Sequence, residues 1–488
     1  MWAKFKQSKV WEIHETDSKQ NKIFSKILKY IVFLICLSLI IFFWKNLIHG
    51  GHVLLGSLWK STVKTVSSNL WQEMRRDEFG NVNIMLVWIW WDDHHWWYLA
   101  DSMIATSRNP ELWAVTMISI PRDLYVNSSW YLWRINGLFA RGYSRGWNNI
   151  WSGAENLIAK VEEILWLEIP YYLVADFQWF KEIVDTLWWI DIYIENTIHD
   201  ITYPDDNLWY QTFHISAWQQ TLDWDTALKY VRSRHTTSDF ARSQRQQNVI
   251  KAVIDTALQR KNITNVWKLK EMYSTYTRMV YTNISSKEMV GMFRYIYDFK
   301  HIFSFWLNTY CTYSSYKLTD AGCFLYNGNR EAFGGQAVMV PNGAKSNNIS
   351  FYDYIQRFTF FVTHNNWYLV ENPRILIKNA IDKNFASQHR LSPTGRANKI
   401  AVKLKKYWFN LAWIENHSWT IEQTKVVTYW DQNYSKTIDT LQYFFPVNVV
   451  EKWENQFITW EELNYDMELI IWNDFISYTA NTPFSYER

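Results

Sequence analysis

Short apolar runs alternate with amphipathic stretches along most of the chain. A strand-like run begins at Asn83 (NIMLV), and a second one, Ala114–Ile120 (AVTMISI), is ended by Pro121. The next elements are predicted in the order helix, strand, helix, strand, over 154–165, 171–174, 177–187 and 190–194. Because strands and helices alternate, we predict an α/β domain that is layered α-β-α around a central mixed sheet.

A long helix is predicted over 239–260, and it carries polar residues on its buried face. Asp239, Arg242 and Gln246 are spaced i, i+3 and i+7, within about 60° of one another around the helix. The same stripe continues with apolar residues: Ile250, Val253 and Ile254. The polar side chains are therefore expected to point inward, where a buried arginine requires a partner.

A small second α/β unit is predicted after residue 371, and residues 262–360 are counted with the first domain. Its predicted strands are 374–378, 409–415 and 424–429, and its predicted helices are 394–406 and 434–445.

The N-terminal region contains a single long apolar run, 30–44 (YIVFLICLSLIIFFW), between Lys29 and Lys45. As a helix it would rise about 22 Å, and flanking apolar residues and snorkelling lysines extend it toward the roughly 30 Å of a bilayer core. No small-residue cleavage site follows, so we predict an uncleaved transmembrane signal anchor; a buried core helix is the alternative. Residues 1–30 hold seven lysines and three acidic residues. This asymmetry predicts a single-pass protein of the cell membrane, with a cytoplasmic N-terminus and the bulk of the chain extracytoplasmic.

These signals divide the chain into six parts. They are a cytoplasmic tail (1–29), the anchor (30–48), a stalk (49–80), the main α/β domain (81–360), the small domain (371–476) and a tail (477–488).

The charge balance excludes one class of partner. The formal net charge of +3 comes from the N-terminal tail, so the rest of the chain is close to neutral and has no nucleic-acid-binding character. The three cysteines form no zinc motif; Cys36 lies in the apolar run, and Cys311 and Cys323 could be bridged or free.

The composition is abnormal in two residue types. There are 15 glycines and 32 tryptophans in 488 residues, so glycine makes up about 3%, where roughly 7% is usual. The tryptophans occur in pairs such as Trp188-Trp189 and at element ends, where chains favour glycine. We therefore expect the source lineage to read UGA as glycine, and about 20 of these tryptophans to be glycine, which restores the usual glycine content.

Arginine and aspartate residues gather at the ends of the predicted elements in the first domain. They are Asp92, Asp93, Asp101, Arg122, Asp123, Arg134, Arg232, Arg234, Asp239, Arg242 and Arg245. Arginine forks bind phosphate and keep their charge when buried. Carboxylates beside them suit Mg²⁺, which shares its oxygen ligands with phosphates. The set therefore predicts a pyrophosphate site.

The same stretches resemble the LytR-CpsA-Psr family of cell-wall glycopolymer transferases. The resemblance covers roughly residues 80–345 and rests on SIPRD (119–123), RING (134–137), LWWIDI (187–192), ALKYVRSRH (227–235) and DFARSQRQQ (239–247). The family has glycine where this chain has Trp88, Trp166, Trp179, Trp188, Trp189, Trp218 and Trp224. Residues 372–475 resemble, more weakly, the LytR-type C-terminal domain (RILIKNA, and KKYWFN where KKYGFN is typical).

The resemblance implies a membrane-anchored phosphotransferase. Such a protein holds the lipid tail of a polyprenyl-pyrophosphate-linked glycan in an apolar groove and transfers the phosphoglycan to a peptidoglycan acceptor. By motif position, the pyrophosphate would be bound by Arg122, Arg134, Arg232, Arg234, Arg242 and Gln246. Mg²⁺ would be held by Asp101 with Asp92 or Asp93. Asp239 would orient an arginine or act as base, and the sequence does not choose between these roles.

The sequence departs from the family pattern before Asp101. The family has an arginine two residues earlier, where this chain has Leu99, and a single aspartate in a Gly-x-Asp turn, where this chain has Asp92 and Asp93 followed by His94-His95. A histidine of this loop could replace the missing arginine.

Two other functions remain compatible with the same motifs. A polyprenyl-pyrophosphate hydrolase would use water as the acceptor, and a non-catalytic lipid- or wall-binding regulatory protein would keep only the lipid pocket. The complete set of arginines and aspartates argues against the latter.

Overall fold

The computed structural model describes residues 73–89, 98–128, 131–204, 209–233, 239–257, 274, 280–285, 287–289, 300–309, 324–344, 349–388, 396–417, 421–429, 433–447, 449–453 and 464–474. The predicted anchor lies outside the described residues, as do Asp92, Asp93, Cys311 and Cys323. No helix within the described ranges is long and apolar enough to cross a membrane.

The main domain alternates strands and helices. Its elements are β1 (Val82–Ile89), β2 (Ala100–Asn109), β3 (Ala114–Ile120), β4 (Tyr125–Ser128), β5 (Tyr131–Arg134), α1 (Gly137–Arg145), α2 (Ile150–Leu165), β6 (Tyr171–Asp176), α3 (Phe177–Leu187), β7 (Ile190–Ile194), β8 (Ile198–Pro204), β9 (Tyr210–Ile215), β10 (Trp218–Leu222), α4 (Trp224–Arg232), α5 (Asp239–Ala257), β11 (Val280–Thr282), β12 (His301–Trp306), β13 (Leu325–Asn327), a 3-10 turn (Arg330–Phe333), β14 (Met339–Pro341) and α6 (Asp353–His364).

The central sheet is mixed, as predicted. Its strand order is β11-β6-β1-β2-β3-β12. Strand β1 is parallel to β6, and β3 is parallel to β12, whereas β2 runs antiparallel to both of its neighbours. This arrangement places the start of β2 beside the ends of β1 and β3.

Helices cover both faces of this sheet. On one face Met85 and Ile118 share a buried core with Leu157 of α2 and Phe358 of α6. On the other face α5 is hydrogen-bonded to the sheet through its glutamines. A smaller core joins α3, α4 and α5 to strands β7–β10.

The C-terminal unit packs against the main domain. Its elements are α7 (Trp367–Glu371), β15 (Ile375–Asn379), α8 (Lys383–Gln388), α9 (Arg396–Lys406), β16 (Leu411–Asn416), β17 (Lys425–Tyr429), α10 (Ser435–Phe444), β18 (Val449–Trp453) and β19 (Met467–Ile471). Its sheet has the order β16-β15-β19-β17-β18. The ring of Trp408 lies 5.2 Å from that of Phe305 on β12, and Tyr407 and Phe358 belong to one buried core.

Several predicted boundaries coincide with the structure, and the differences have local causes. The second predicted strand, helix 177–187 and strand 190–194 have the bounds of β3, α3 and β7. Helix α2 begins at Ile150 rather than 154, because the side chain of Asn149 accepts a hydrogen bond from the Trp151 amide and caps the helix earlier. Strand β2 was missed: its alternating polar residues (ADSMIATSRN) follow a turn-rich stretch. Asp101 therefore lies in a central strand, not in a loop.

Tryptophan occupies backbone conformations that favour glycine. Helix α3 ends in a Schellman motif, in which the amide of Trp188 donates to the Asp185 carbonyl and that of Trp189 to the Val184 carbonyl. Trp188 and Trp189 have φ of 59° and 76°. Helix α9 ends in the same way, with Trp408 at φ 65°. Further tryptophans with positive φ are Trp113, Trp147, Trp166 and Trp218.

The tryptophans that the family resemblance marks as glycine sites fall into two groups. Trp166, Trp188, Trp189 and Trp218 have positive φ, so their backbone fits glycine. Trp88 lies within β1, and Trp224 begins α4 with the Lys181 ammonium 4.0 Å from its ring centroid. The backbone gives no reason for glycine at these two positions. The side chain of Trp179 lies outside the described residues.

We predict that Trp166→Gly stabilises the protein. Trp166 ends α2 with φ 51° and ψ 50°, and its side chain is 73% exposed, so few contacts are lost. A left-handed conformation costs an L-residue about 1 kcal/mol, which glycine does not incur. Urea unfolding should show a gain of about 1 kcal/mol in the free energy of unfolding.

Trp151→Gly is the matched control, because Trp151 lies in the first turn of the same helix and is 40% exposed but has no positive φ. It should lower stability. A loss of stability in Trp166→Gly, or an equal gain in both variants, would contradict the conformational explanation.

Candidate anion-binding site

The ends of β2, β3 and α5 meet at one cavity of about 210 Å³, a volume that includes space open to solvent. Its lining combines a polar floor with two arginines. The lining residues are Asp101, Ser102, Met103, Ser119, Ile120, Pro121, Arg122, Arg242 and Gln246.

Four charged side chains form a chain of opposite charges beside this cavity. An Nη1 atom of Arg122 donates to Oδ1 of Asp101 at 2.6 Å. The Nε atom of Arg122 lies 3.9 Å from Oδ2 of Asp123, and Nη1 of Arg134 lies 3.3 Å from Oδ1 of Asp123. All four side chains are partly buried, so the arginines are held in place while part of each remains accessible.

A tight turn and a hairpin bring Arg134 to this position. After β3 the amide of Leu124 donates to the Pro121 carbonyl at 3.1 Å, which reverses the chain at Arg122 and Asp123. Strands β4 and β5 then pair with Tyr125 opposite Arg134. The hairpin therefore returns the chain to the turn it left.

Helix α5 contributes the opposite wall. Arg242 is 8% exposed, and the Ser102 hydroxyl donates to Oε1 of Gln246 at 2.9 Å. The predicted inward direction of Arg242 and Gln246 is confirmed. Their apolar continuation differs in register, because Val249 and Ala252 are buried, whereas the predicted Ile250, Val253 and Ile254 are only partly buried.

Two residues that the sequence did not assign fix this helix to the sheet. Gln247 is fully buried, and its Nε2 donates to Oγ of Ser119 at 2.8 Å and to the Phe305 carbonyl at 3.0 Å. Ser102, which bonds Gln246, comes directly after Asp101. The adjacent glutamines of the motif were the available signal, but only the three-dimensional structure separates their roles.

The remaining predicted residues lie away from the cavity or outside the described part. Arg232 is the last residue of α4 and does not line the cavity. Arg245 is buried against α4. Arg234, Asp92 and Asp93 lie outside the described residues, and Asp239 begins α5 with its side chain outside them.

A phenol lies near the start of β2. Burial, together with a hydrogen bond from the Tyr143 hydroxyl, raises the pKa of Tyr98 to about 12. Tyr98 is therefore a neutral hydrogen-bonding group at physiological pH, three residues before Asp101.

The described residues were also tested for a metal site. In the described ranges no three His, Cys, Asp or Glu side chains are grouped closely enough to hold a metal ion. Asp101 has the hard oxygen donors that Mg²⁺ prefers, and one carboxylate with phosphate oxygens and water is a usual magnesium environment. The donor chemistry of Asp101 therefore fits the ion, with the reservation that one of its oxygens already bonds Arg122.

The arrangement suits a multivalent anion. Three guanidinium groups (Arg122, Arg134 and Arg242) face two carboxylates (Asp101 and Asp123), which leaves one positive charge uncompensated within this set. The Nε atom of Arg134 is buried without a hydrogen-bond partner. Fixed guanidinium forks of this kind bind phosphate oxygens, because each fork offers parallel donors.

An α/β domain with arginines fixed at the ends of its central strands is thus an anion-binding domain. Residues 59–316, which are 258 of the 488 residues, match the model of the LytR_cpsA_psr family. The chain belongs to this family.

Curated relatives share this region. The chain is 26% identical over 214 residues to the polyisoprenyl-teichoic acid–peptidoglycan teichoic acid transferase TagT of Bacillus subtilis (strain 168), which covers 43% of this chain and 61% of TagT. It is 28% identical over 194 residues to TagU of Bacillus licheniformis, which covers 39% of this chain and 56% of TagU. The chain therefore spans less than two thirds of the length of either relative.

Solved structures align with a similar share of the chain. The structure described as TagT bound to LIIa-WTA covers 57% of this chain and 90% of that chain, with 22% identity and a TM-score of 0.41. The crystal structure of B. subtilis TagV covers 57% and 96%, with 19% identity and a TM-score of 0.42.

We predict that Arg242→Gln weakens the binding of inorganic pyrophosphate about tenfold or more. The substitution removes a charged donor from the cavity wall, and hydrogen bonds to charged groups contribute about 1.5–3 kcal/mol. Isothermal titration calorimetry on the full-length protein in detergent gives the dissociation constant.

Arg145→Gln is the control, since Arg145 is an exposed arginine at the end of α1 and does not line the cavity. An equal loss of affinity in both variants would mean that net charge, not the cavity, determines binding.

Proposed function

We propose that this protein is a membrane-anchored phosphotransferase that moves a phosphoglycan from a polyprenyl-pyrophosphate carrier to peptidoglycan. The observation that carries the proposal is the cavity in which Arg122, Arg242 and Gln246 meet beside Asp101. Family membership and relatives named as teichoic acid–peptidoglycan transferases support the same reaction class.

In the proposed reaction a hydroxyl oxygen of the acceptor attacks the phosphorus that carries the glycan. The new P–O bond replaces the bond to the terminal phosphate of the lipid, so polyprenyl phosphate leaves and the hydroxyl proton passes to a base. Arg122 and Arg242 lie where they would stabilise negative charge on the phosphoryl oxygens, without reorganisation during the step. Gln246, oriented by Ser102, would donate to a further oxygen.

The wider set of residues follows from the family motifs. Arg134 would support the diphosphate from the β5 side, and Arg232 and Arg234 from the end of α4. Asp239 is proposed as the base or as the carboxylate that orients an arginine.

Mg²⁺ is proposed as the cofactor, held by Asp101 with Asp92 or Asp93. When bound, the ion would neutralise charge on the phosphoryl oxygens. In its absence the carboxylate of Asp101 holds Arg122 in place, at 2.6 Å.

Two further parts of the proposal concern the whole chain. The apolar run 30–44 would anchor the protein with its bulk outside the cytoplasm, and residues 371–476 would form a LytR-type C-terminal domain. The gene would encode glycine by UGA at many tryptophan positions; the seven tryptophans with positive φ support this, and UGG codons there would contradict it.

The proposal predicts that Arg122→Ala abolishes transfer. The full-length protein is incubated with a polyprenyl-pyrophosphate glycan, Mg²⁺ and a peptidoglycan oligomer, and covalent transfer is followed by mass spectrometry. Removing a positioned charge at the reacting phosphate costs about a hundredfold to a thousandfold in rate. Arg122→Lys should recover only part of it, because lysine lacks the fork that reaches Asp101 and phosphate together.

Arg145→Gln should transfer at the rate of the parent protein. Release of polyprenyl phosphate without transfer would instead identify a hydrolase, and lipid binding with no turnover would identify a binding protein.

A second prediction concerns the metal. Chelation by EDTA should stop transfer, and added Mg²⁺ should restore it, because the ion and the arginines share the neutralisation of the diphosphate. Asp101→Asn should raise the Mg²⁺ concentration that gives half-maximal rate by about tenfold or more. Full activity in EDTA would contradict the proposed magnesium requirement while leaving the arginine site in place.

A further inference from the structure

Arg245 belongs to the arginine-rich motif of α5, yet its guanidinium does not face the cavity. The side chain is 6% exposed and is not among the residues that line the cavity. Its Nε atom donates to the carbonyl of Tyr230 at 2.8 Å, and its Nη2 atom donates to the carbonyl of Ser233. Both acceptors lie at the end of α4.

This contact caps a helix. The last carbonyls of an α-helix have no partner within the helix and form the negative end of its dipole, so a buried cation is well matched there. Burial lowers the pKa of Arg245, an effect that Tyr230 and Asp200 oppose. Arginine nevertheless remains charged at physiological pH.

The capped end is also fixed from the other side. The hydroxyl of Ser233 donates to Oδ2 of Asp200 on β8 at 2.7 Å, and Asp200 is fully buried. The amide and hydroxyl of Thr202 donate to the second carboxylate oxygen. The end of α4 is therefore held between β8 and α5.

The position of this end matters for the site. Helix α4 ends at Arg232, and Arg234 follows two residues later, while α5 carries Arg242 and Gln246 into the cavity. We infer that Arg245 is a positioning residue that fixes Arg232 and Arg234 relative to Arg242 and so preorganises the diphosphate site. The inference rests on the proposed function, because it treats Arg232 and Arg234 as diphosphate-binding residues.

The test is a double-mutant cycle on the binding of inorganic pyrophosphate. Dissociation constants are measured for the full-length protein, Arg245→Gln, Arg232→Ala/Arg234→Ala and the combined variant, well below the midpoint of thermal unfolding of each. Arg245→Gln alone should weaken binding about tenfold to a hundredfold, because small displacements of binding groups have effects of this size. In the Arg232→Ala/Arg234→Ala background it should add no further loss, since the groups it positions are gone.

Other outcomes separate the possible failures. Additive losses would make Arg245 an independent ligand and overturn the positioning role, and unchanged affinity in Arg245→Gln with only a lower unfolding temperature would reduce it to a structural residue. Unchanged affinity in Arg232→Ala/Arg234→Ala would also overturn it. If Arg242→Gln also binds pyrophosphate like the parent, the proposed function itself fails; if Arg242→Gln loses affinity, only the inference about Arg245 fails.

Two variants keep the test decisive if Arg245→Gln does not fold. Arg245→Lys keeps the charge at the helix end but loses the fork, so it should lose less affinity than Arg245→Gln. Ser233→Ala breaks the bond to Asp200 without touching any proposed ligand, and its effect should likewise vanish in the Arg232→Ala/Arg234→Ala background. Persistence of either effect in that background would overturn the inference.

Discussion

The ion pair between Arg122 and Asp101 resolves the main physical difficulty of this site. Guanidinium groups that bind one anion must be held close together before the anion arrives, and like charges in a partly buried place repel one another. Asp101 and Asp123 lie between and beside the arginines and compensate most of this repulsion. The sheet topology makes this possible, because antiparallel β1-β2-β3 brings the start of β2, with Asp101, next to the end of β3, with the turn that carries Arg122 and Asp123.

Uncharged contacts hold the second wall of the cavity. Gln246 and Gln247 join α5 to Ser102, Ser119 and the Phe305 carbonyl, and none of these groups competes with the anion for the arginines. A wall fixed in this way needs little reorganisation when substrate binds, and preorganisation of this kind strengthens binding and catalysis. The helix supplies Arg242 to the cavity and Arg245 to the end of α4 from one short motif.

The sequence predicted the parts of this arrangement that depend on periodicity. The inward face of α5 follows from 3.6 residues per turn, and β3 and α3 follow from apolar runs with clear ends. Strand β2 could not be predicted, because its alternating polar residues reflect pairing on both sides and not local preference. The direction of Arg245 was equally hidden, since only the packing of α4 against α5 decides whether an arginine faces an anion or a helix end.

The tryptophans with positive φ connect composition to stability. Helices α3 and α9 end in hydrogen-bonding patterns that place residues 188 and 408 in the left-handed region, where an L-residue costs about 1 kcal/mol or more. Seven tryptophans share this strain at sites far apart in the chain, so their costs are close to additive. Their sum, about 7 kcal/mol, is comparable with the roughly 5–15 kcal/mol that stabilise a typical domain. Since a fold would not retain so large a cost at exposed turns that perform no chemistry, glycine is the residue that the backbone at these positions requires.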